Sequence, residues 1–371
     1  MLNVLHVIKR AGLGSTERYI VSLAEKLKED KCNFHLVYSE KGTLVSKMKE
    51  LGCKTIKIGM RSPFDFRAAW LLKKYCKQNS IDVVHTHFRR EAFISVLAKM
   101  LGGKFKLVSS NFVIHGDNFV FKLFNRLMSL WIDKVIAGSH GNKENLILKG
   151  VLEKKIAIIR GGVDLDLWQG PGKKAIKIRK QLGLEHDDFV VACVSNFSEN
   201  EGLYFLLESV KQIDRIIDKQ RDNDLKKIKF VLIGEGETTE QCKAMAQMLG
   251  ISQYIVFTGY REDVKDIFKS SNLFVVPGHG SSMAIPVLEA LACDLPVVSV
   301  ETDSSSEIIS QEEYCGLVAD SSDSVSFAKG IFKFVKDREF YEKCRENACS
   351  IVRRKYGIQK TVDETFKIYS E

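Results

Sequence analysis

No run of about 18 apolar residues occurs anywhere in the 371-residue sequence, so a membrane-spanning helix is excluded. The first residues, Met1-Leu2-Asn3-Val4-Leu5-His6-Val7-Ile8, lack the charged lead of a secretion signal and read directly as a strand. There is no Cys-x-x-Cys pair among the nine cysteines, an odd and scattered set. That pattern excludes a disulfide framework and a zinc ribbon, and leaves reduced thiols acting as small core residues. Solenoid-period repeats and low-complexity segments are also missing. Together these absences predict an intracellular, cytoplasmic globular protein.

What is present fits that class. Apolar residues make up 45% and charged residues 28%, and the length suffices for two domains with separate cores. The net charge of +9 conceals an imbalance. Residues 1–165 hold 29 Lys and Arg against 14 Asp and Glu, whereas residues 166–371 hold 27 against 33. A basic first half and an acidic second half imply different partners. No recognised nucleic-acid module accompanies the basic charge, so nucleic acid is not an expected partner.

Short apolar strands alternate with longer amphipathic segments, the pattern of a parallel sheet wrapped by helices. In the first half the candidate strands are Asn3–Ile8, Phe34–Tyr38, Val83–His85, Lys106–Ser109 and Lys134–Ala137. The pattern restarts with Phe189–Val194, Lys229–Ile233, Ile255–Thr258, Leu273–Val276 and Pro296–Val300. This predicts an α/β protein of two successive doubly wound domains, joined near Gly161-Gly162-Val163-Asp164. We assign residues 1–163 to the first and 164–355 to the second, with a closing helix over 356–371 returning to the first.

The most informative segment is Pro277-Gly278-His279-Gly280-Ser281-Ser282-Met283-Ala284-Ile285-Pro286-Val287-Leu288-Glu289, which runs on to Asp294-Leu295-Pro296. It follows the Leu273–Val276 strand and opens a helix with Pro286 near its first turn, a strand, loop and helix arrangement suited to an anion. Gly12-Leu13-Gly14 follows the first strand but lacks the third glycine of a dinucleotide fingerprint, since Glu17 stands there.

The Pro277–Pro296 spacing resembles the nucleotide-sugar signature of family 4 retaining glycosyltransferases. Further matches fall in order along the chain: Gly12 to Arg18, Asp82-Val83-Val84-His85-Thr86-His87, Ile136-Ala137-Gly138-Ser139, Ile158 to Asp164, Val231 to Gly236 and Val256 to Tyr260. The resemblance implies the GT-B architecture, two Rossmann-like doubly wound domains facing across a cleft. It implies a sugar carried from a nucleotide-sugar donor, as substrate rather than cofactor, to a glycan or lipid-linked acceptor in cell-envelope polysaccharide biosynthesis.

On the donor side the resemblance implies a phosphate cradle from the backbone amides of Met283, Ala284 and Ile285, with Glu289 gripping the ribose. Asn196 and Gly234 line the same site. Gly12, Gly14 and Ser15 form the floor beneath donor and acceptor. His115 is the candidate histidine for the transferred sugar, with Asn111 or Phe112 taking its place in a shifted alignment. His279 and Ser281, inside the donor loop, complete the catalytic candidates. His85 and His87 are open between a cleft role and a packing role. Asp164-Leu165-Asp166 falls in the interdomain connection, and no metal is expected.

The donor site departs from the signature at several positions. Ser281 replaces its first glutamate, Asn196 and Glu201 stand where an Arg and a Lys cover two phosphates, and Asp294 replaces a glycine. Without those cations a diphosphate beside an acid would cost several kcal/mol. Three readings remain open: a transferase with an unusual donor or with cations supplied elsewhere, such as Arg160 or Lys265; a degenerate transferase-like subunit; or another GT-B enzyme such as an epimerase. The apolar, basic segment Phe119 to Lys134 predicts either a buried helix or contact with an anionic membrane, at the inner face of the cell membrane.

Overall fold

A computed structural model describes every residue except 13, 29, 30, 111, 112, 114–117, 171–174, 221–226, 279–283, 303, 310–313 and 322. The chain divides into two compact units: Met1–Arg160 with Ile358–Glu371, and Gly161–Gly357.

In the first unit the strands are β1 (Leu2–Arg10), β2 (Cys32–Glu40), β3 (Lys54–Lys57), β4 (Val83–Thr86), β5 (Lys106–Ser109), β6 (Lys134–Ala137) and β7 (Ile156–Ile158). Its helices are α1 (Ser15–Leu27), α2 (Thr43–Glu50), α3 (Phe66–Gln78), α4 (Arg89–Met100), α5 (Phe119–Trp131) and α6 (His140–Leu148). The strands pair in parallel in the order β3-β2-β1-β4-β5-β6-β7. Leu5, Val7, Val84, Leu107 and Val135 turn one face of this sheet onto α3 and α4, whose buried residues include Ala68, Leu72, Phe93 and Val96.

The second unit continues with α7 (Leu165–Trp168), α8 (Ala175–Gln181), β8 (Phe189–Val194), α9 (Leu203–Gln220), β9 (Ile228–Ile233), α10 (Thr239–Met248) and β10 (Ile255–Gly259). It closes with α11 (Val264–Lys269), β11 (Leu273–Val276), α12 (Ile285–Ala292), β12 (Val297–Val300), α13 (Ser305–Ile309), β13 (Gly316–Ala319), α14 (Ser324–Lys336) and α15 (Arg338–Lys355). Its six parallel strands run β10-β9-β8-β11-β12-β13, and one core lies on each face. In both sheets the strand order reverses once, between β1 and β4 and between β8 and β11. Such reversals leave a crevice at the carboxyl ends of the strands, where ligands of doubly wound folds bind.

All ten expected strands are present, within a few residues at their ends. The reading missed β3, β7 and β13, strands of three or four residues at sheet edges; β3 has lysines at both ends, and β7 and β13, though apolar, are too short for a period to show. The first crossing between units falls at Arg160–Gly161. Val163 lies with the second unit because its N–H donates to the Tyr356 carbonyl and it bridges to Gly357.

The last helix, α16 (Ile358–Ser370), belongs to the first unit. It packs against α1 through Thr365 Oγ1 and the Tyr19 hydroxyl, 2.8 Å apart. The Tyr369 hydroxyl meets His85 Nδ1 at 2.6 Å. Lys106 Nζ donates to the Ile368 carbonyl, and Lys134 pairs with Glu371. Beneath the helix lie three buried histidines. His6 and His85 are register partners on β1 and β4, and His6 Nδ1 lies 2.9 Å from His87 Nε2. Burial holds all three rings neutral: His6 and His85 titrate well below the ordinary range, and His87 is lowered from 6.5 to about 3.

A base whose folded pKa is depressed leaves the unfolded chain binding protons first. Stability is therefore complete above pH 7 and is lost as pH falls from 6.5 toward about 3. Urea unfolding between pH 8 and 4 should show this loss, and a His87→Phe variant should show a shallower one. Equal slopes would mean that the cluster does not carry it.

Candidate functional site

The crevice of the second unit is bounded by the loops after β8 and β11. These touch backbone to backbone: a Cβ on Gly202 would lie 2.1 Å from the Pro277 carbonyl oxygen, and one on Gly278 would lie 2.4 Å from the Glu201 carbonyl carbon. Gly202 has φ +72°, so its glycine character is required twice over. Behind them, Phe197 is fully buried at φ +47°, and its carbonyl accepts from the N–H and hydroxyl of Thr238. Asn196 is exposed at the rim.

Gly234 follows β9 with φ +124°, its N–H given to the Gly259 carbonyl and its Cβ position filled by the Ser195 carbonyl oxygen 2.0 Å away. Contact between two loops thus accounts for this glycine. Ala284 caps α12 in a left-handed conformation, φ +46°, with Ile285 and Pro286 opening the helix. In this first turn Pro286 has no N–H and the Val287 N–H donates to the Ala284 carbonyl, so an anion would be favoured by the helix dipole and the Ile285 N–H. Glu289 is only 2% exposed, inside α12 and one turn before Cys293. His115, His279, Ser281 and Met283 lie outside the described residues, as do Asn111 and Phe112.

In the first unit the corresponding crevice lies between β1 and β4. Gly14 caps α1, Ser15 begins it, and Glu17 turns back over the start of the helix. Burial pushes the Glu17 carboxyl up, against backbone N–H groups of residues 17, 14 and 12 that favour its charged form. This is the reciprocal half of a capping box. A Cβ on Gly14 would come within 2.8 Å of Glu17 Oε2, and one on Gly12 within 3.6 Å of Oε1. Space for the Glu17 carboxylate therefore accounts for Gly14, whereas at Gly12 the contact would be an ordinary one, and the acid occupies the anion position that an open Gly-x-Gly loop would offer.

The sequence reading also missed Glu91 in the first turn of α4. One carboxyl oxygen accepts from the Lys9 N–H at 2.5 Å, and the other has no partner among the described residues. Among the described residues the group able to gather a metal is His6, His85 and His87, whose ligand atoms lie within 4.8 Å of one another. His85 already spends both ring nitrogens, on Tyr369 and on Ser110 Oγ, so a third metal bond would displace a buried hydrogen bond.

Two family descriptions match the chain: Glycosyltransferase Family 4 over residues 16–167 and Glycosyl transferases group 1 over residues 174–350. The chain is a family 4-like glycosyltransferase. It is 23% identical to an Escherichia coli UDP-Gal:alpha-D-GlcNAc-diphosphoundecaprenol alpha-1,3-galactosyltransferase, over 99% of this chain and 96% of that one. It is 22% identical to the N-acetyl-alpha-D-glucosaminyl L-malate synthase of Bacillus anthracis, covering 83% and 79%. Among solved structures, Anabaena HepE in complex with UDP and glucose superposes with a TM-score of 0.83 at 16% identity, over the full length of both chains. WaaG, a glycosyltransferase involved in lipopolysaccharide biosynthesis, does so with 0.76 at 13%, again over both full lengths. The fold is accordingly GT-B, two Rossmann-like units.

The glycosyltransferase signature has glycine where this chain has Ala284 and Asp294, and both residues adopt the left-handed backbone, at φ +46° and +63°. Backbone geometry is kept while the side chain changes. Asp294 stands just beyond the carboxyl end of α12, paired with Lys269 at 3.0 Å, and so lies away from the anion-binding end of that helix. Lys265 donates to the Gln169 carbonyl at 2.8 Å, and Arg160 lies 3.1 Å from His140 Nδ1.

An alanine forced into the left-handed region stores strain that glycine does not. Ala284→Gly should raise the unfolding free energy by up to about 1 kcal/mol in urea titrations, whereas a loss of stability would show that the site is not strained.

Proposed function

We propose that this glycosyltransferase moves a sugar from a nucleotide-linked or other activated donor to a glycan or lipid-linked acceptor in cell-envelope polysaccharide biosynthesis, with retention of anomeric configuration. The crevice of the second unit carries this reading. There the amino end of α12, capped by Ala284 and begun by Ile285, suits a phosphate through its dipole, and buried Glu289 suits ribose hydroxyls. The Escherichia coli relative, named for UDP-Gal and a diphosphoundecaprenol-linked sugar, supports the same classes of donor and acceptor. The donor site is atypical because Asn196 and Glu201 replace cations.

Purified protein, offered UDP-, GDP- and CMP-sugars with a polyprenyl-diphosphate saccharide, should form a product that keeps the donor's anomeric configuration. Glu289→Ala should lower kcat/KM by about 10- to 100-fold, the worth of hydrogen bonds to a charged group. Silence across the whole panel would sink the proposal.

The acceptor reading has its own support in α5. This helix is inverted: Asn125 and Ser129 are buried, while Phe119, Val120, Leu123, Leu127, Leu130 and Trp131 are exposed. Asn125 Nδ2 donates to the Lys149 carbonyl, and Lys155 caps the last carbonyls of the helix. Exposed Phe64 stacks on Phe93 and meets Phe124 edge-on, joining the loop before α3 to this apolar surface. No described helix is long and apolar enough to cross a membrane. An outward apolar stripe carrying Lys122 and Arg126, on the basic half of the chain, fits the surface of an anionic bilayer at the cytoplasmic face. Sedimentation with phosphatidylglycerol vesicles should recover the protein at low salt, less at high salt. A Leu123→Glu, Leu127→Glu double variant should stay in solution; equal recovery of that variant would refute the assignment.

A further inference from the structure

At the crevice between β8 and β11 a half-buried acid occupies the place where negative charge is favoured. Glu201 stands two residues before α9 and against the Pro277–Gly278 turn that leads toward α12. The amino end of α9 opens here, and its dipole draws anions. Yet no cation among the described residues forms a salt bridge with Glu201. From β8 it faces the Cys193 thiol, which its charge pushes further up. Pro277 and Gly278 bring no titratable side chain, and Tyr204 in the first turn of α9 is exposed. Burial alone raises the Glu201 carboxyl above the ordinary carboxylate range.

We propose that Glu201 meets the phosphate of the activated sugar as a carboxylic acid, so that donor binding at this crevice takes up a proton. The inference rests on the donor placement given above and adds the protonation state and the group that sets it. Two negative groups at contact distance in a partly desolvated site drive the weaker acid to protonate. A phosphodiester oxygen is far too weak a base to take that proton, so it goes to Glu201. The carboxylic O–H then donates to a phosphate oxygen, a charge-assisted hydrogen bond that replaces an ion pair. Affinity for the donor becomes a function of pH: it is full below the pKa of Glu201 in the free protein and falls by up to about tenfold per pH unit above it.

The test is calorimetric titration of the full chain with UDP-glucose, GDP-mannose and CMP-sialic acid, whose phosphates do not titrate between pH 5 and 8. Repeating each titration in buffers of different ionisation enthalpy gives the protons bound. The wild type should take up about one proton at the upper end of this range. E201Q, which copies the neutral acid, should bind with no uptake and with affinity flat in pH. E201K should bind at least as tightly, also without uptake, and thermal unfolding should show both variants folded. Wild-type binding without uptake, uptake retained in E201Q, or failure of all three proteins to bind any probe would overturn the proposal. Sugar transfer without proton-linked binding would overturn it while leaving the transferase reading intact, and proton-linked binding without transfer would do the reverse.

Discussion

The second unit depends on a contact that admits no side chain. Where the loops after β8 and β11 cross, Gly202 and Gly278 bring two backbones to van der Waals distance, and any Cβ there would overlap a carbonyl group. That contact adjoins the start of α9, and so where its partial positive charge is presented. Glu201 lies in this contact through its backbone. Close packing of main chain, rather than any one polar side chain, makes the crevice a defined place.

Much of this was legible in the chain. Buried parallel strands read as apolar runs, so β8 and β11 were found at their observed limits. β3, with Lys54 and Lys57 at its ends, offers no such run and was invisible. The glycines were legible as glycines but not in their reason. Gly14 and Gly234 suggested room for a ligand, whereas the structure fills that room with the Glu17 carboxylate and the Ser195 carbonyl. Whether a glycine makes space for a ligand or for another part of the protein is a tertiary fact, and sequence spacing holds no information about it. The sequence left α5 open between a buried helix and a membrane-facing one, and only its neighbours show that Asn125 and Ser129 face inward.

The departures from the family signature sort by their physics. At Ala284 and Asp294 the signature's glycine marks a left-handed backbone, and the structure keeps that backbone with a residue less suited to it. These changes alter strain and leave the charge at the mouth as it was. Glu201 differs in kind, since an acid in place of a base reverses the charge beside the amino end of α9.

The chain leaves the first unit at Arg160 and re-enters it at Ile358, so the second unit is inserted within the first. During synthesis every residue of the second sheet emerges before α16 can cover His6, His85 and His87. The inserted unit is therefore free to complete its fold while its host waits, with three histidines still in water and able to hold protons. Docking of α16 through Tyr369 and Thr365 then covers the histidines, and protonation of those rings opposes it.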